Sequence, residues 1–253
     1  MLTPEGRNLL ERTQRLLREA EGIEQGVAAA RAEPAGTLKV TAPLPVGVNI
    51  LAPALPAFCR QHPKGTVELR LSERYVDLRE EGVYVAIRVG EPGDTRLIAR
   101  RLVPHQICSF ASPGYLRERG VPQHPNDLLR HDCVNFRYQS PGQEAIWPFD
   151  VGGKLVEFAP PLASIIDVSN SIAATFAAGA RIGTSTTYIA APHVRRRELV
   201  PVLHEFAYDR FHLHAVWPER RRSNSAVKAF IGILQDICPS PAPWDVLVRD
   251  HAI

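Results

Sequence analysis

The sequence predicts an α/β fold preceded by one long helix, and three observations carry that reading. From residue 36 onward, short apolar runs alternate with helical stretches, the pattern of β-α-β units. The first 33 residues instead carry a helical repeat with no strand-like run. Between the two, Glu33-Pro34-Ala35-Gly36 stops a helix and opens a linker.

The long helix is expected from Asn8 to about Glu33, a stretch free of proline. Apolar or small residues recur at Leu9, Thr13, Leu16, Ala20, Ile23, Val27 and Ala30, alternating steps of four and three. That spacing is the seam of a coiled coil. Arg12, Arg15, Glu19 and Glu24 flank it as a solvated edge. Gly22 and Gly26 each weaken a helix by about 1 kcal/mol, so a partner must supply stability. Leu9, Leu16, Ala20, Ile23 and Val27 are therefore the expected self-association residues, giving a dimer or tetramer.

In the body of the chain, residues 38–42, 67–71 and 83–89 read as strands and 46–61 as a helix, with a turn at Gly90-Glu91-Pro92-Gly93-Asp94. A second set opens with a strand over 107–111 and a helix capped by Ser112 with Pro113 at its first position. Strands follow over 133–136, 146–151, 154–158 and 164–168, with Gly152-Gly153 as a hairpin turn. Ser169-Asn170-Ser171 is expected to cap a helix over 172–178. Strands at 200–203 and 213–217, a helix over 226–237 and a loose proline-interrupted tail complete the chain. The alternation favours a mainly parallel sheet.

Composition excludes several classes. The 253 residues are 45% hydrophobic, enough to bury a real core. Thirty basic against 27 acidic residues leave a net charge of +3, too mild to imply nucleic-acid binding. Cys59, Cys108, Cys133 and Cys238 lie far apart, which fits reduced thiols better than a disulfide framework or a zinc ribbon. No signal peptide and no run of ~18 apolar residues occurs, so a cytoplasmic protein without membrane contact is expected.

No nucleophile elbow, P-loop, H-E-x-x-H or dinucleotide fingerprint is present, and no enzyme activity and no cofactor are expected. His131 with Cys133, and His212 with His214, could each share a strand face, but neither pair has a third ligand nearby, so no metal is expected. Arg195-Arg196-Arg197 and Arg220-Arg221-Arg222 read as solvated turns. Two strand-to-helix corners carry more weight, Thr41-Ala42-Pro43-Leu44-Pro45-Val46 and Val168-Ser169-Asn170-Ser171. Free N–H groups at helix starts favour a carboxylate or phosphate, and two such corners facing across a cleft would form a small-molecule site.

Leu2-Thr-Pro-Glu-Gly6 followed by a long helix resembles the junction and linker helix of LysR-type transcriptional regulators. The remainder is similar to their effector-binding domain through Gly36-Thr-Leu-Lys-Val-Thr-Ala-Pro43, Leu55-Pro-Ala-Phe58, Asp77-Leu78 and Ala86-Ile-Arg-Val-Gly90. Ala111-Ser-Pro-Gly-Tyr-Leu116, His124-Pro-Asn-Asp-Leu128, His131-Asp-Cys133, Trp147-Pro-Phe149, Trp217-Pro218 and Ala229-Phe-Ile231 continue the match in order. The resemblance implies an α/β, two-subdomain, periplasmic-binding-protein-like effector domain behind a linker helix. Residues 1–33 would be the wing end and linker helix, 36–105 with 212–240 subdomain I, 106–211 subdomain II, and 241–253 the tail. It also implies a small, anionic effector between the lobes, lined by Pro43, Leu44, Pro45, Arg88, Val89, Ser112, Asn170 and Ser171.

Three departures accompany the match. The family's helix-turn-helix would precede Leu2, so DNA is expected as a partner only through that missing domain or an intact sibling. Tyr84 stands where the family has Asp before Val-Ala-Ile-Arg, and Arg181 replaces a glycine of Gly-x-Gly-Ile. The alternatives are a free-standing solute-binding protein of the same fold, or a degenerate truncated paralogue.

Overall fold

The structure is a computed structural model that describes residues 34–72, 82–139, 142–179, 181–209 and 211–253. The coiled-coil seam with Leu9, Leu16, Ala20, Ile23 and Val27 lies outside the described residues, as does Asp77-Leu78.

Strand β1 (Gly36–Pro43) buries Leu38, Val40 and Ala42 and runs directly into a helical segment over 44–61, called α1. Its second turn, Gly47–Leu51, is a π turn, and a Cβ on Gly47 would sit 2.0 Å from Leu71 Cδ2, so glycine permits the close packing there. β2 (Gly65–Ser72) and β3 (Val85–Val89) pair parallel to β1 on either side. β4 (Leu97–Pro104) ends this first excursion.

The chain then crosses to a second lobe, made of β5 (Ile107–Ala111), α2 (Pro113–Arg119) and β6 (Cys133–Phe136). A hairpin follows, β7 (Trp147–Val151) and β8 (Lys154–Phe158), then β9 (Leu162–Ile166) and α3 (Ser169–Ala177). β10 (Ile182–Thr186), α4 (Thr187–Arg195) and β11 (Val200–Val202) close the lobe. Gly152 and Gly153 turn the hairpin with φ of 60° and 81°, as a tight primed turn requires. Ser112 Oγ accepts from Tyr115 N at 3.2 Å, capping α2 as expected.

β12 (His212–Pro218) returns to the first lobe between β3 and β4, antiparallel to both, giving the order β2-β1-β3-β12-β4. The second sheet runs β11-β5-β10-β6-β9. α5 (Ser225–Ile237), capped by Asn224, packs Phe230 edge-on against Phe58 of α1, with ring centroids 5.7 Å apart. The crossovers at 104–106 and 211–212 lie side by side, tied by His105 N donating to Phe211 O at 2.8 Å.

Four expectations need correction. Both sheets are mixed rather than mainly parallel, because the crossover strand β12 and the pair β5–β10 run antiparallel. The tail is not loose: α6 (Pro243–Asp250) packs on α4, burying Ala242 and Val248 completely. Thr187 Oγ1 donates to Asp245 Oδ1 at 2.5 Å, and Trp244 stands edge-on to Tyr188 at 6.3 Å, which fixes that helix to the second lobe. Ser169-Asn170-Ser171 does not cap α3 but forms its first turn, with Val168 as the preceding residue. Strands β4 and β10 and helix α4 were not foreseen, β10 because Ile-Gly-Thr-Ser-Thr lacks the apolar pattern of a buried strand.

Candidate functional site

Between the two lobes lies a cavity of about 430 Å³, a size suited to a small molecule. It opens at the carboxyl ends of β1, β3, β6 and β10, where open α/β sheets place ligands. Lobe I supplies Thr41, Pro43 and Pro45 from the β1–α1 corner, Ser72 at the end of β2, and Arg88 and Val89 from β3. Lobe II supplies Phe136, Tyr138, Ile146, Pro148, Ser169, Ile172 and Thr184 to Thr186. His105, Ile107 and Phe211 close the cavity at the crossovers, with Tyr188 beside them.

Of the residues expected to line the site, Pro43, Pro45, Arg88 and Val89 are in the wall, whereas Leu44, Ser112, Asn170 and Ser171 are not. Ser112 spends its hydroxyl on the cap of α2. On α3, helical spacing puts Ser169 and Ile172 on one face, which is the face toward the cavity. Asn170 and Ser171 turn aside: Ser171 is exposed, and Asn170 Oδ1 is buried without a hydrogen-bond partner. Neither substitution in the family pattern touches the cavity. Arg181 precedes the amino end of β10, while the cavity meets its carboxyl end, and Tyr84 stacks under Arg221, whose Cζ is 3.8 Å from the ring centroid.

Sequence reasoning missed His105, Phe136, Tyr188, Ser185 and Thr186, which reach the wall from segments distant in sequence. Arg88 is the only formally charged side chain among the described lining residues. Burial pushes the His105 imidazole down to about 4, so it is neutral at pH 7, and it hydrogen-bonds Tyr188 Oη through Nδ1 at 3.2 Å. At the end of β10, the hydroxyls of Ser185 and Thr186 are buried with no hydrogen-bond partner.

The competing clusters are structural. His131 Nδ1 bonds Tyr115 Oη at 3.1 Å, Asp132 pairs with Arg119 at 3.0 Å, and the Cys133 thiol, fully buried, is pushed up to about 12. His214 is buried with Glu91 3.9 Å away, and His212 contacts Arg101. Among the described residues no group of three or more His, Cys, Asp or Glu could hold a metal ion. Arg196 is tied to Glu198 at 2.8 Å within its own turn.

Burial also sets opposing pH responses. The imidazoles of His105, His131 and His204 are all held below their ordinary value, chiefly by desolvation. The unfolded chain then binds more protons, so these groups remove stability as pH falls below about 6.5. Asp245 is pushed up to about 6 by burial, against the hydrogen bond from Thr187 and with help from Asp209. Its native state holds the proton longer, so it removes stability as pH rises from about 4 to 6. Asp245→Asn, which keeps an oxygen for Thr187, should raise stability at pH 7 by roughly 1–2 kcal/mol after discounting for partial exposure. The variant's melting temperature should also fall more steeply than wild type between pH 6.5 and 4.5 (assay conditions bracketing those values, about one to two pH units apart). Parallel melting curves for the two proteins would contradict this.

A two-lobed α/β domain with a cavity at its hinge is an effector-binding domain by architecture. The model of the LysR substrate binding domain matches residues 31–239, and the chain belongs to the family of LysR-type transcriptional regulators. The chain is 30% identical over 236 residues to the HTH-type transcriptional regulator CrgA of Neisseria meningitidis serogroup C (strain 8013), covering 92% of this chain and 77% of that protein. It is 28% identical over 224 residues to an uncharacterized HTH-type transcriptional regulator of Haemophilus influenzae, covering 87% and 76%. The solved structure of Neisseria meningitidis CrgA superposes with a TM-score of 0.72 at 28% identity, covering 93% of this chain and 80% of that one. Full-length AphB of Vibrio cholerae superposes at a TM-score of 0.69 and 20% identity over 94% and 81%, which shows the shared fold. These relatives are named as transcriptional regulators. No described helix is long and apolar enough to cross a membrane.

Proposed function

We propose that this chain is the effector-sensing and oligomerisation part of a cytoplasmic LysR-type regulator, and that it takes a small organic anion between its lobes. The observation that carries the reading is the wall of the cavity: one arginine, Arg88, hydroxyl groups and apolar rings, with no carboxylate among the described lining residues. Such a wall offers a guanidinium and hydroxyl donors that suit an anion. The first turn of α3 borders the same space through Ser169, adding the positive end of a helix.

The test is a thermal-shift screen of organic acids with wild type and Arg88→Gln. Losing one charge-assisted bond costs about 1.5–3 kcal/mol, so affinity for any stabilising acid should drop about ten- to a hundredfold. Stabilisation by neutral or cationic compounds alone would reject the reading. Self-association rests on the seam from Leu9 to Ala30. Leu16→Glu with Ile23→Glu would bury charge along it and should reduce the mass seen by light scattering. An unchanged mass would reject the seam. DNA contact is proposed to come through a helix-turn-helix carried by another segment or by an intact partner, whose recognition helix would enter the major groove.

A further inference from the structure

Helix α6 meets the cavity wall through one ring contact. Trp244, in its first turn, stands edge-on to Tyr188 at 6.3 Å, and Tyr188 Oη bonds His105 Nδ1 at 3.2 Å. Tyr188 and His105 both line the cavity. The next residue, Asp245, turns its carboxyl onto the start of α4, where Thr187 Oγ1 donates to it at 2.5 Å. Two further titratable groups face that carboxyl: Asp209, from the segment between β11 and β12, and the buried Cys108 thiol of β5. Farther along α6, Arg249 pairs with Asp250 at 3.4 Å and faces the imidazole of His204. Among the described residues no cation pairs with Asp245. Of the eight residues of α6 only Val248 is fully buried, so the helix sits at the low-stability end of its lobe.

We infer that α6 is a proton-operated latch on the second lobe: with Asp245 protonated it clamps Tyr188, and with Asp245 ionised it loosens and leaves the Tyr188–His105 pair without that support. A carboxylate withdrawn from water beside a second carboxylate is costly, whereas a neutral carboxyl is not. Burial, with help from Asp209, pushes Asp245 up to about 6, against the Thr187 hydrogen bond. An aspartate released to water titrates at about 3.9. The docked helix therefore holds the proton more tightly than the released one, so protonation favours docking and ionisation favours release. The two values differ by about two pH units, which is about a hundredfold in the docking equilibrium across the whole titration. The latch acts whatever ligand the cavity takes.

The experiment is amide hydrogen exchange on the full chain, read by mass spectrometry as protection factors at about pH 5 and about pH 7.5, either side of the Asp245 value. Protection over α6 should be about tenfold higher at the lower pH. At both pH values it should stay below that of β5 and β10, because α6 opens without the rest of the lobe. The first turn of α4, which carries Thr187 and Tyr188, should follow the α6 step with a smaller one. Asp245→Asn, uncharged at every pH, should abolish the step. Thr187→Val removes a bond that favours the ionised form and should move the step to higher pH. Asp209→Asn, at an exposed position, removes a like charge and should move it to lower pH. Protected β5 and β10 amides in the same spectra show that each variant is folded. A wild type without the step, an equal step in Asp245→Asn, or α6 exchanging only together with β5 and β10 would overturn the latch. A step in α6 with none in α4 would overturn its reach to the cavity.

Discussion

Trp147→Ala is expected to destabilise the protein by about 3–5 kcal/mol, the usual cost of deleting a large aromatic from a core. Trp147 is fully buried, and its indole Nε1 donates to Asn135 Oδ1 at 2.9 Å. That same oxygen accepts from Phe136 N at 2.9 Å, and Asn135 Nδ2 donates to Ala145 O at 2.9 Å. One side chain thus fastens the β7–β8 hairpin to the end of β6. Its neighbours Ile146 and Pro148 lie in the cavity wall, so the variant should also weaken ligand binding at temperatures where it stays folded. Trp147→Phe keeps most of the packing and loses the hydrogen bond, so about 1–2 kcal/mol is expected. Urea denaturation measures both. A loss under about 1 kcal/mol for the alanine variant would show that the hairpin is held by something else.

Gly183→Ala should cost about 1–3 kcal/mol through overpacking. Its Cβ would lie 2.0 Å from Cζ and 2.1 Å from Cε1 of Phe176, a ring with no exposed surface into which it could swing. Relief requires α3 to move, and α3 carries Ser169 and Ile172 in the cavity wall. The stability loss should therefore come with weaker binding. Gly232 is the control. It lies inside α5 with nothing within 4 Å of where an added methyl would sit, so Gly232→Ala should stabilise by up to about 1 kcal/mol. Denaturation curves for the two variants should shift in opposite directions, and a shared direction would contradict the packing described.

Much of the site's frame was legible because it is local. The corner from Thr41 to Val46 is read from an alternating strand that meets prolines, and the structure puts the strand end at Pro43. Arg88 and Val89 come from the family resemblance, on a short apolar strand that the sequence shows ending at a glycine turn, and they line the cavity. Ser112 was legible as a helix cap, but the same capping bond removes it from the ligand's reach. Asn170 and Ser171 share a segment with Ser169, yet which of three consecutive residues faces a cavity depends on how α3 is rotated on its sheet. That rotation follows from Phe176 packing against Gly183, a contact between separate elements.

The sequence by itself determined strands β1, β3 and β5, the hairpin at Gly152-Gly153 and the cap at Ser112, because these depend on neighbours within a few positions, and its ordered motifs carried the chain's family. Tertiary structure decided the rest. β10 is a strand because β5 and β6 pair with it on both sides, despite a polar Thr-Ser-Thr end. The final helix is ordered because α4 offers Thr187 and Tyr188 to Asp245 and Trp244. The cavity joins Arg88, His105, Tyr188 and the β10 hydroxyls only when two crossovers fold the lobes together. Hydrogen bonding and burial between distant segments leave no periodic trace in a chain, so that part of the site is visible only in three dimensions.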